Sequence, residues 1–127
     1  MQLLLSREPR ILLVRYDQAL TIKTLGQLDR VLTKFVQREG TMDTIFDFSS
    51  APRTDVPTSV MVKRGQTLSH MPDRQRIFVA PDDVYFGMFR LYGAYQSYRG
   101  AKAPDVVKSL EEALVLLGGQ NAVFAPY

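Results

Sequence analysis

Five side chains capable of chemistry fall where strands are expected to end: Asp47, Ser49, Ser50, Asp82 and Asp83. In open α/β sheets ligands bind outside the carboxyl ends of the strands, so these positions come first. Acids clustered there could hold a hard cation in an acidic pocket of the phosphotransfer kind. Such a pocket would also use a lysine at the end of a neighbouring strand. Ala80 and Pro81 occupy one such end, and Lys108 lies near the other. Each of the five also has a local use. Asp82 or Asp83 can cap a helix, where exposed amides and the helix dipole favour an acid. Ser49 and Ser50 can form turns with their own backbone. The single histidine, His70, sits beside Met71-Pro72 after a predicted helix and reads as a helix-terminal surface residue. A catalytic triad needs a base held against a nucleophile, and no nucleophile-elbow pattern is present. There is also no P-loop and no G-x-G-x-x-G to cradle phosphate. With no cysteine and one histidine, thiolate and multi-histidine metal sites are excluded within one chain. The chain therefore reads as non-enzymatic, with no cofactor and no metal expected.

Binding features are more pronounced than catalytic ones. Tyr85, Phe86, Phe89, Tyr92, Tyr95 and Tyr98 place four of the six tyrosines and two of the seven phenylalanines on one predicted helix. Tyr85, Met88, Tyr92 and Tyr95 form one stripe, and Phe86, Phe89 and Arg90 an adjoining one. One stripe must face the sheet. Aromatics beyond it suit a subunit interface or an apolar ligand pocket, and Gly87 and Gly93 would let a neighbouring backbone approach. The charge is also localised. Of 16 basic and 13 acidic residues, net +3, the excess lies between 63 and 76, where Lys63, Arg64, Arg74 and Arg76 face one acid, Asp73. That window is either a solvated helix face running into a loop, or a docking patch for an acidic protein partner or anion. It lacks the interleaved aromatics and the longer basic stripe of a nucleic-acid binder, so no nucleic acid is expected.

These residues need a scaffold, and 127 residues suffice for one domain, 1–127. Apolar residues at 46% and charged residues at 23% match globular proteins. No apolar run approaches membrane-spanning length, and the N-terminus lacks a signal-peptide core. A cytoplasmic protein without membrane insertion is the expectation. Leu3–Leu5 and Ile11–Tyr16 read as a hairpin turning at Pro9. Ile22, Leu25, Leu28, Leu32, Phe35 and Val36 recur at helical spacing over 21–38, with Thr21 to cap the start and Gly40 past the end. Strands are predicted at 42–48, 76–80 and 106–107. Helices are predicted at about 56–69, with Asp55 or Thr54 as cap, at 84–98, and from a Ser109…Glu112 capping box to Gly118. The tail from Gln120 to Tyr127 is mildly apolar and suited to packing across the domain. The predicted fold is α/β, a mixed sheet with about four helices in the order β-β-α-β-α-β-α-β-α.

The run from Arg76 to Asp83, followed by Tyr85-Phe86-Gly87-Met88-Phe89-Arg90-Leu91-Tyr92, and Glu111-Glu112-Ala113-Leu114 near the end, resemble the bacterial SpoIIAA-like family. That family has a fold similar to STAS domains, the anti-sigma factor antagonist fold. The resemblance implies a regulatory module working through a protein partner, with a homodimer as a candidate assembly. In the antagonists a strand ends in Asp-aliphatic-Ser, and a later Asp precedes a phosphorylated serine at a helix start. Asp47-Phe48-Ser49 matches the first part, and Asp55 stands where the second Asp would be. Val56 and Pro57 replace the following residues, so Thr58 or Ser59 would carry a phosphate switch. By resemblance, the partner face would include Asp47, Ser49, Asp55, Thr58, Ser59, Lys63 and Arg64. The alternative is a carrier or sensor of a small apolar molecule held between the sheet and the aromatic helix, using Tyr85, Met88, Phe89, Tyr92, Tyr95 and Tyr98.

Overall fold

The computed structural model describes all 127 residues. Ten elements follow one another: β1 (Gln2–Arg7), β2 (Arg10–Arg15), α1 (Ile22–Glu39), β3 (Asp43–Asp47), α2 (Thr58–Gly65), β4 (Arg76–Val79), α3 (Asp83–Tyr98), β5 (Asp105–Val107), α4 (Leu110–Leu117) and β6 (Ala125–Pro126). The strands form one six-stranded mixed sheet ordered β5-β4-β3-β2-β1-β6. β2, β3, β4 and β5 run parallel, and β1 is antiparallel to both β2 and β6.

The two-residue period of the strands divides the core into two layers. On β2, Leu12 and Val14 face one side while Ile11 and Leu13 face the other. Phe46 on β3 joins the first layer, under α1, α2 and α3. Ile45, Ile77, Val79 and Val107 join the second, which α4 covers through Ala113. Three helices thus share one face and a short one serves the other.

Local signals account for most helix ends. Thr21 caps α1 by accepting from the Thr24 amide, and the Thr24 hydroxyl returns the bond from the Thr21 amide. Gly40 ends α1 at φ 80°, a conformation that favours glycine. Asp82 caps α3 by accepting from the Tyr85 amide at 3.0 Å. Ser109 accepts from the Glu112 amide and opens α4, which Gly118 closes in the left-handed region.

Two expectations are corrected. The helix predicted over 56–69 is only Thr58–Gly65, and its N-cap is Pro57 rather than Thr54 or Asp55. Thr54 is used elsewhere. Its hydroxyl donates to the Leu20 carbonyl at 2.7 Å and accepts from the Val56 amide, tying the loop to the segment before α1. At the other end, the Gln96 side chain donates to the Gly65 and Thr67 carbonyls at 2.7 and 2.9 Å. The Gly65 carbonyl is the one that would otherwise accept the next helical bond, from the Ser69 amide. The second correction concerns the tail. It ends as β6, with Leu4 and Leu5 opposite Pro126 and Ala125. The Tyr127 amide donates to the Leu3 carbonyl, and the Tyr127 ring packs edge-on to Phe35.

Close approach of backbones also falls at a different glycine. Gly87 has open space around it, and Gly93 makes ordinary contacts with Ala103 and Pro104. At Gly65 a Cβ would stand 2.7 Å from the Tyr95 Cβ and 2.8 Å from the Tyr92 carbonyl oxygen. There the backbone of α2 lies directly on α3.

Candidate functional site

The strand-end residues are occupied locally. The buried Asp47 carboxylate accepts from both the amide and the hydroxyl of Ser49 and sits 4.0 Å from the Arg15 guanidinium. This is an Asx-type turn that ends β3. Asp82 is committed to its cap, and Asp83 lies in the first turn of α3. No group of three His, Asp or Glu side chains is placed to hold a metal ion.

The proposed partner-face residues separate into two sets. Asp55, Thr58 and Ser59 are exposed around the start of α2, and Lys63 is exposed in its last turn. Arg64 turns the other way. Its guanidinium donates to both Asp29 carboxylate oxygens, at 3.0 and 2.6 Å, joining α2 to α1. His70 Nε2 lies 3.0 Å from Asp29 Oδ1. Burial pushes against the charge on Asp29, but hydrogen bonds from His70 and Arg64 outweigh it and hold the carboxyl well below the usual range. Burial likewise works against the charge on Arg64, and the bonds and charge of Asp29 turn the net shift upward. The basic window of 63–76 is therefore not a surface patch. Lys63 and Arg74 are exposed, Arg64 is paired, and Arg76 is inside the protein.

The aromatic helix also resolves into parts. Tyr85, Phe89, Tyr92, Gly93 and Gln96 form the buried stripe, which takes Tyr85 and Tyr92 from one predicted stripe and Phe89 from the other and leaves Met88, Tyr95, Phe86 and Arg90 outside it. Rings then run continuously inward. Phe48 meets Tyr16 and Phe89 at 4.9 Å, and Phe78 meets Phe89 at 4.7 Å and Tyr92 at 5.8 Å. The Tyr85 hydroxyl is spent on the Pro52 carbonyl at 2.6 Å, and burial raises its pKa. Met88 and Tyr95 are half-buried, and Tyr98 is 92% exposed.

Between these helices and the sheet lies a cavity of about 280 Å³, with hydrophobic residues at twelve of its eighteen lining positions. Leu25, Leu28 and Leu32 of α1 form one wall, Met61 of α2 another, Phe89 and Tyr92 of α3 a third, and Phe46 and Phe78 the sheet side. The opening between α1 and α2 exists because α2 packs along α3 rather than along α1. The half-exposed Asp29, Arg64 and His70 cluster spans that gap. Of the six residues assigned to an apolar pocket, Phe89 and Tyr92 line it. Tyr85, Met88, Tyr95 and Tyr98 do not.

One charged lining residue has no ionic partner. Arg76, 4% exposed, opens β4 and shares the α1–α3 face of the sheet with Phe78. Its Nη2 donates to the Lys102 carbonyl. Its Nη1 reaches the Tyr92 hydroxyl at 3.4 Å and the Gln96 side-chain oxygen Oε1 at 3.5 Å, near the limit of hydrogen bonding. All three acceptors are neutral, and the Nε has no protein acceptor. The charge count of the sequence places Arg76 on the surface. The signal for its true location is strand parity, since Arg76 and Phe78 must share a face.

Comparison with protein-family models, curated proteins and solved structures gave no match. Fold and site define the molecule as an α/β domain with a mixed six-stranded sheet, four helices and an internal apolar cavity. No helix is long and apolar enough to cross a membrane.

Proposed function

We propose that this domain is a non-enzymatic carrier or sensor of a small, mainly apolar molecule, bound in the cavity between the sheet and helices α1, α2 and α3. One observation carries the reading: a cavity of about 280 Å³ with a largely hydrophobic lining. It opens to solvent on one side, so its apolar walls meet water when it is empty. An apolar occupant removes those walls from water, at a gain of roughly 25 cal/mol per Å² of apolar surface. By the scale on which a dry cavity of about 150 Å³ accepts benzene, this one suits a molecule of about a dozen non-hydrogen atoms.

The test combines native mass spectrometry of freshly purified protein with calorimetric titration of short alkyl and aryl compounds. Met61→Trp should fill the space, abolish binding and preserve the fold. If no compound co-purifies, no probe binds, and Met61→Trp unfolds the domain for want of room, the reading is wrong.

A second reading rests on a separate observation. Asp55, Thr58 and Ser59 are exposed where α2 begins, and Lys63 is exposed in its last turn, which supports a protein-partner face along this helix, as the SpoIIAA-like resemblance implies. A homodimer belongs to the same reading, with the exposed Tyr98 as a candidate contact. Thr58→Asp should change the set of proteins captured by the domain, and light scattering should show a dimer. An unchanged set together with a monomer at high concentration removes this second reading.

A further inference from the structure

We infer that the cavity selects a monoanionic amphiphile, a carboxylate with a short apolar tail, and that Arg76 is its headgroup-binding residue. The inference rests on the proposed ligand-binding function and adds the chemical class of the ligand. Removing a guanidinium from water costs several kcal/mol, so buried arginines are normally matched by a carboxylate. Arg76 is 4% exposed and takes part in none of the ion pairs of the protein. The other charged groups on the cavity are already used, Asp29 by Arg64 and His70. The positive charge of Arg76 is therefore not balanced by a contacting acid.

Its donors point the same way. A guanidinium has five N–H groups in a fixed fork. Three are directed at Tyr92, Gln96 and Lys102, two of them at long range. The Nε–H is left without a protein acceptor, and by count one of the two Nη2 hydrogens is also free, since Nη2 makes a single bond. Two N–H groups and one positive charge match a carboxylate, the acceptor that guanidinium forks bind in bidentate fashion. The hydrophobic lining then sets the tail, since leucine, methionine and phenylalanine form most of the walls and the remaining charged lining groups, Asp29, Arg64 and His70, are paired with one another.

Decanoate and decan-1-ol have the right size and differ only in the headgroup. Titrated into the intact domain near neutral pH, decanoate should bind at least 10-fold more tightly than decan-1-ol. Arg76→Met should weaken decanoate roughly 10- to 100-fold, the range of charged hydrogen bonds, and leave decan-1-ol within about threefold. Equal affinity of the two compounds for the unmodified domain overturns the role of Arg76 and leaves the apolar cavity as the binding site. Binding of neither overturns the ligand-binding function itself. The comparison on the unmodified domain decides the question even where Arg76→Met fails to fold.

Discussion

Asp29→Asn tests the ion cluster across the cavity mouth. Asp29 accepts from Arg64 at 3.0 and 2.6 Å and lies 3.0 Å from His70 Nε2, so one carboxylate joins α1, α2 and the segment after α2. Asparagine keeps the shape and removes the charge. Hydrogen bonds to charged groups in protected sites contribute about 1.5–3 kcal/mol each. The Asp29 side chain is 39% exposed and that of Arg64 25% exposed, so solvent screening reduces the figure. We expect a loss of about 1–2 kcal/mol, or a melting temperature lower by about 3–10 °C for a domain of this length. The pH dependence has a definite sign. The carboxyl of Asp29 is lowered in the folded protein. Its contribution is complete above the unfolded carboxylate value of about 4 and fades as pH falls through the lower folded value. Urea denaturation of the two proteins should therefore differ by a steady amount down to about pH 5, and the difference should shrink progressively as pH falls below about 4 toward the lowered folded value. A difference that persists unchanged at pH 3, or none at pH 7, refutes the assignment of Asp29 as the charged acceptor that joins Arg64 and His70 across the mouth.

Gly65→Ala should destabilise by about 1–3 kcal/mol, because the new methyl meets Tyr95 Cβ and the Tyr92 carbonyl below 3 Å and the helices must part. Unchanged urea midpoints would mean that α2 does not lie directly on α3. Deleting Ala125–Tyr127 removes the pairing to Leu4 and Leu5 and the contact with Phe35, at about 1–2 kcal/mol. It also leaves β1 as a bare edge, so light scattering should show self-association. A truncated chain as stable and as monomeric as the parent would contradict a structural role for β6.

Much of this architecture is legible in the residues because its causes are short-range. The leucine spacing from Ile22 to Val36, the caps at Thr21, Asp82 and Ser109, and the glycines at 40 and 118 each act within one helical turn. Consecutive apolar residues at 45–46 and 77–79 mark strands covered on both faces, as both core layers show. The aromatic helix could be located from composition, but not which of its rings would be core. That depends on where the sheet lies.

Only the tertiary structure decided the site. Arg64 and Asp29 are 35 residues apart, His70 and Asp29 41, and Arg76 and Lys102 26. No local rule connects such pairs. The end of α2 is met by Gln96, which bonds carbonyls 29 and 31 residues away. A cavity has no residue of its own, being the space left where α2 packs on α3 rather than on α1. The amino-acid sequence determined the elements and the two-sided sheet, through periodicity and capping. Long-range packing determined that a cationic side chain counted as surface would stand inside, unbalanced by a contacting acid, beside an apolar space.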